Sequence, residues 1–188
     1  LALHHWSSDF FKPWQLVTHL FMHGDVGGPQ ANYEAGFMHL FSNMFALWMF
    51  GSILENTFGP KRFLAFYLMC GIGASLLHLG VVTYELANIR EAVNLFNHPV
   101  TFEEYSRWLA GEHYSRTSSF GALLFNIRDQ WAEAMPVGPV FVSSVGAELQ
   151  NYLTMFSDVP TVGASGAVFG ILFAFGYLYP NTELYLYF

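Results

Sequence analysis

Three stretches of this chain carry no formal charge for the length of a bilayer crossing: residues 37 to 54 (18 residues), 63 to 84 (22 residues) and 159 to 182 (24 residues). About 20 apolar residues span the hydrocarbon core, where every backbone polar group must be satisfied within the chain, so runs of this kind dictate helices. A soluble core helix is the competing explanation for any one run. Three in 188 residues, with charged residues at only 11% against about 25% in ordinary soluble domains, favour the membrane. The aromatic share of 19% fits spans whose ends sit among lipid head groups. The expected fold class is all-α, a multi-pass transmembrane helix bundle that is incomplete in this chain.

Charge placement orients the spans. The short turn 55 to 62 carries Lys61 and Arg62 against Glu55, whereas residues 85 to 158 carry four Arg against nine Asp and Glu. The short turn is therefore expected on the cytoplasmic side, with residues 1 to 36 and 85 to 158 outside. Net charge of −7 and the lack of any basic run exclude nucleic acid as a partner. The single cysteine, Cys70, permits no intrachain disulfide.

Six segments are expected: an outer loop with an interfacial helix (1–36), two transmembrane helices (37–58 and 62–83), an outer helical insertion (84–158), a third transmembrane helix (159–180) and the start of another (182–188). Within 13 to 23, Trp14, Val17 and Phe21 recur at helical spacing beside a second row, Leu16 and Leu20, which suits a helix lying in the interface. GDVGGPQAN after it is loop chemistry. Thr101 followed by Glu104, with Gly111 beyond, reads as a capped helix, and FGALLFNIRDQWAEAM and FVSSVGAELQNYL as two more. The chain starts at Leu1 without Met, and its last apolar stretch stops after six residues, so a piece of a longer protein is expected.

TVGASGAVFG (161–170) places Ser165 between glycines at the head of an apolar run. Gly166, Gly170 and Ala174 form a four-residue stripe of small side chains, enough to pack two helices closely in lipid. If the helix began at Val159, Ser165 would lie about 9 Å below the outer surface. His39 and Asn43, four apart on one helix face, and His78 would sit in that same layer. Polar side chains at one depth are costly unless they face each other or water, which makes this layer a candidate site. A serine nucleophile with imidazole and amide donors for an oxyanion is hydrolase chemistry.

The alternatives are weaker. An α/β-hydrolase elbow needs Gly where Ala167 stands, and the context is helical. His19 and His23 are four apart, but Leu20 replaces the glutamate a zincin motif needs, so no metal is expected.

Taken together, WQLVTHLFMHG, HLFSN (His39 and Asn43), LENTFGPKRFLAFY and GASG around Ser165 resemble the rhomboid intramembrane serine proteases. The resemblance implies a six-helix core opening outward and no cofactor. Ser165 would be the nucleophile, His39 and Asn43 would bind the oxyanion, and Gly163 would form the tight start of the serine helix. Gly166 and Phe169 would support the site, the phenyl packing near the catalytic pair. The family takes its base from a histidine on the last core helix, and this chain has none after His113. The resemblance thus implies core helices two to four and a fragment of the fifth, inactive alone. The parent protein would act on transmembrane protein substrates in a lipid bilayer, in a bacterial cell membrane by expectation. His78 is a distant second choice as base. The rival functions are a rhomboid-like pseudoprotease that binds membrane clients uncut, and a multi-pass structural or transport subunit.

Overall fold

The computed structural model describes residues 1–23, 33–111, 114–133 and 139–183. The described residues are helical, and the extended pairing among them is one isolated antiparallel bridge, Leu3 with Thr161. The helices are α1 (Gln15–Thr18, continued by a tight turn His19–Phe21), α2 (Tyr33–Ala46), α3 (Ser52–Phe58), α4 (Pro60–Leu95), α5 (Phe102–Gly111), α6 (Ser119–Glu133), α7 (Pro139–Ser157) and α8 (Ser165–Leu178). The chain divides within α4 into two compact units, Leu1–Val81 with Val159–Phe188, and Val82–Asp158.

In the first unit, α2 and α3 run together through a widened π turn at Leu47–Gly51 and make one apolar helix, Glu34–Phe58. Gly51 sits at that turn because its missing side chain leaves room for the Phe63 ring, 3.1 Å from where a Cβ would stand. Gly59 then ends α3: at φ 79 its N–H donates to the Glu55 carbonyl (2.8 Å), and Pro60 opens α4 with no N–H to leave unsatisfied. Glu34–Phe58 and Pro60–Leu95 are both long and apolar enough to cross a membrane. Only 22% of the most apolar stretch of each is buried, whereas a soluble core helix would be mostly covered.

The serine helix is shorter than expected. It starts at Ser165 rather than near Val159, because Thr161 is paired with Leu3 and Gly163 turns the chain at φ 116. Its 14 residues are about 21 Å long, short of a bilayer's roughly 30 Å. It packs on α4 through its small face: a side chain at Gly166 would strike the Ala74 methyl, and one at Gly170 would meet Cys70 Sγ at 2.5 Å. Phe50 and Phe175 meet edge to face at 4.9 Å in a core with Leu54, Tyr67, Ala167 and Ile171. The small-residue stripe is thus a packing surface, and Ser165 stands at its outer end. The Tyr179 hydroxyl, just past α8, donates to Thr57 Oγ1 (2.5 Å), since the threonine hydroxyl already donates to the Ile53 carbonyl.

The helix expected to stop at residue 83 runs on to Leu95. Nothing between Gly80 and Asn97 breaks it, and Leu86, Ile89 and Val93 recur on a buried face. That stretch opens the second unit, whose core joins Ala92, Phe96, Tyr105, Leu124, Trp131 and Leu149. Tyr105, fully buried, stacks on Trp131 at 5.8 Å, and its hydroxyl donates to the Leu124 carbonyl at 2.8 Å. The capping box of α5 is present. Glu104 N–H donates to Thr101 Oγ1 (3.2 Å), while the Thr101 N–H and hydroxyl donate to Glu104 Oε2 (2.8 and 2.9 Å). Those bonds, the backbone one foremost, hold the Glu104 carboxyl below its ordinary range. The loop read at residues 24 to 32 and the apolar stretch at 184 to 188 lie outside the described residues.

Candidate active site

The site is built where three segments meet α8. The approach 159–164 precedes α8 without helical structure, and three interactions hold it. Thr161 exchanges backbone hydrogen bonds with Leu3 (2.7 and 2.9 Å), the Gly163 N–H donates to the His19 carbonyl (2.9 Å), and Thr161 Oγ1 meets His78 Nε2 at 2.8 Å. Ser165, half-buried, is then the first residue of α8, with Ala164 as its cap. A helix start leaves its first N–H groups without a carbonyl one turn back, so donors lie beside this hydroxyl. The serine is not one and a half turns inside a helix; it is at the helix head, where backbone polarity is concentrated.

A cavity of about 180 Å³ opens beside it, lined by Ser165, Gly163, Thr161, His78, His19 and Ser75 among others. His19 is buried at the back. Its Nδ1–H donates to the Gln15 carbonyl (2.8 Å), and its Nε2 faces the Ser75 hydroxyl at 3.1 Å, which also reaches the Gly71 carbonyl at 2.7 Å. Burial lowers the pKa of this imidazole below its usual value, against the Gln15 bond that raises it. With its proton on Nδ1 the neutral ring donates to Gln15 and leaves Nε2 as an acceptor, which the single Ser75 proton serves in alternation with the Gly71 carbonyl.

His39 approaches from α2. Its Cε1 and Nε2 lie 2.7 and 3.0 Å from where a Gly163 side chain would begin. The imidazole therefore rests on bare backbone two residues before the serine, and Gly163 is required there twice over, for its φ of 116 and for the missing Cβ. Asn43, buried on the same helix, donates its amide to the His39 carbonyl (2.8 Å). This fixes the helix backbone and points that donor along its own helix. Neither His39 nor Asn43 lines the cavity.

Phe169 follows one turn after Ser165 on α8. It is 70% exposed and does not line the cavity, so it does not pack against the serine site within the described residues. Four residues on from Ser165, it is carried to the open side of α8 with Phe173 and Tyr177, both 78% exposed.

His19, Ser75 and Thr161 were not singled out as site residues. The THLFMH stretch offered a signal in two histidines on a helix of otherwise apolar spacing, but weighing them as a metal pair diverted it. The sequence cannot display a carbonyl such as that of His19 as the acceptor for Gly163.

Comparison with known proteins adds the family. The model of the Rhomboid domain matches residues 11–139, a stretch that stops short of Ser165. RHOMBOID-like protein 5 of Arabidopsis thaliana is 36% identical over 64 residues, which is 34% of this chain and 17% of that protein's length. The relative is a plant protein, so the comparison carries no support for the bacterial membrane expected above. No solved structure matches the chain.

Proposed function

Because the chain belongs to the rhomboid family, we propose that it is the serine-bearing portion of an intramembrane serine endopeptidase that cleaves transmembrane protein substrates. Ser165 Oγ attacks the scissile carbonyl of a locally unwound substrate segment. Its proton passes to the histidine that the family places on its last core helix, which has no counterpart among residues 114 to 188 of this chain. The developing oxyanion is held by the first N–H groups of α8 and the His39 imidazole. Asn43 acts through the helix turn that carries His39. Donors of this kind contribute about 3–4 kcal/mol each to the barrier when aimed at the charge that develops.

The observation that carries this reading is Gly163. A stripe of small residues that served packing alone would need no left-handed glycine two residues before α8, pressed against an imidazole from another helix. The same observation favours cleavage over client binding without cleavage, since binding has no use for a hydroxyl at a helix head beside that ring. The test is the full-length protein in liposomes with a transmembrane substrate. Ser165→Ala should abolish cleavage while leaving the melting temperature within a degree or two; cleavage at the wild-type rate ends the proposal.

A further inference from the structure

The second unit has a cavity of its own. It measures about 310 Å³, at the small end of small-molecule pockets, which begin near roughly 300 Å³. Four aromatic rings line it. Tyr114 and Phe120 meet at 83° with centroids 5.6 Å apart and form two walls of a corner. Tyr152 continues the wall 5.4 Å from Phe120, and Phe156, one turn along α7, stacks parallel to it at 6.1 Å. α4 contributes Glu85, Asn88 and Ile89 to the lining, and Ser118 and Ser119 complete it.

These groups share one electrostatic preference. Aromatic faces carry negative potential, and so does the carboxylate. The unit as a whole agrees: residues 82 to 158 hold nine Asp and Glu against four Arg. Glu85 acts on the cage itself, since its charge adds to burial in raising the Tyr152 phenol above its ordinary pKa. Among the described residues no Lys, Arg or His lines this cavity. Among the described residues the ion pairs are Arg116 with Asp129 (3.2 Å) and Arg128 with Asp129 (2.5 Å), and both arginines lie over Phe125.

The identity of the cation follows from the lining. Ser118, Ser119 and Asn88 stand beside Glu85 in the lining, but a primary ammonium ion would need three acceptors converging on one point to replace its hydration shell, and the larger share of the wall is apolar. A quaternary ammonium has no N–H to satisfy and spreads its charge over methyl groups that lie flat on aromatic faces. We propose that the cavity bounded by Tyr114, Phe120, Tyr152, Phe156 and Glu85 is a binding site for a quaternary ammonium cation of choline type, independent of the serine site. The cation comes either as a lipid head group or as a free solute.

The test is calorimetric titration of the full-length protein, held in a maltoside detergent, with choline chloride and with its neutral isostere 3,3-dimethylbutan-1-ol. Saturable choline binding is expected, with the neutral alcohol weaker by about three- to tenfold. Glu85→Gln, an exposed position whose change leaves the core untouched, should weaken choline by a similar factor at an unchanged melting temperature. Tyr152→Leu should weaken it further. Equal binding of the alcohol, choline affinity indifferent to Glu85→Gln, or no saturable binding by protein that melts like the wild type would each overturn the proposal. Reconstitution in phosphatidylcholine and in phosphatidylglycerol separates the two sources. A site already filled in the first and open in the second assigns the lipid head group; a site open to choline in both assigns the free cation.

Discussion

Replacing Gly163 by alanine puts the account of the active site under the greatest strain. The added methyl would stand 2.7 Å from His39 Cε1 and 3.0 Å from Nε2, whereas non-bonded carbons prefer about 3.5–4.0 Å. The ring must retreat by about 1 Å or the backbone must leave its φ of 116, a conformation that costs a residue with a side chain about 1–3 kcal/mol. Gly163→Ala should therefore destabilise the full-length protein by about 1–3 kcal/mol. It should also displace the proposed oxyanion donor, and a 1 Å misplacement costs on the order of 100-fold in rate. The assay is cleavage of a transmembrane substrate in liposomes at a temperature where the variant is still folded, so that lost activity is not lost protein. His39→Ala combined with Gly163→Ala isolates the collision: removing the ring relieves the steric part of the destabilisation and leaves the backbone part. Wild-type stability and activity in Gly163→Ala, or strictly additive stability effects in the double variant, would refute the reasoning.

Other consequences are separable. Gly170→Leu should destabilise by about 1–3 kcal/mol, because that face of α8 rests on Cys70, while Gly176→Ala, with open space around it, should be neutral or stabilise by about 0.5–1 kcal/mol; thermal melts in detergent compare them. Tyr105→Phe should cost about 0.5–1.5 kcal/mol by removing the phenol's hydrogen bond to the Leu124 carbonyl, measured by the same melts. The pKa of His19 is lower in the folded chain than the 6.5 of the free side chain, so its contribution is fully present above pH 6.5. As pH falls below 6.5 the unfolded chain takes up the proton first and that stability is lost. Melting temperature should drop on acidification, and the drop should be smaller in His19→Asn.

The two long apolar helices, Glu34–Phe58 and Pro60–Leu95, were legible because a run without charge long enough to cross a bilayer has few other structures open to it. The capped α5 was legible because Thr101 and Glu104 act through local hydrogen bonds, and local chemistry survives in sequence. The start of the serine helix was not. Pro160 and Gly163 both warned of a break, but 24 uncharged residues outweighed them, and the bridge to Leu3 joins residues 158 positions apart. The length of α4 was missed for the reverse reason. Glu85, Arg90 and Glu91 read as the end of a span, whereas the helix continues on a buried row of Leu86, Ile89 and Val93. His39 was expected in one layer with Ser165, and the approach that the structure gives is to the backbone at Gly163, two residues before the serine. Phe169 is placed at the site by resemblance, beside a histidine that residues 114 to 188 lack, and among the described residues it lies on the open face of α8.

The central claim is that the hydroxyl at 165 is a nucleophile. Incubating the full-length, membrane-embedded protein with a fluorophosphonate and mapping the adduct by mass spectrometry tests it most directly. The account predicts a phosphonyl group on the peptide containing Ser165, loss of substrate cleavage in step with labelling, and no adduct in Ser165→Ala. Protein that cleaves its substrate while the adduct maps to another residue, or that labels equally without Ser165, would contradict it.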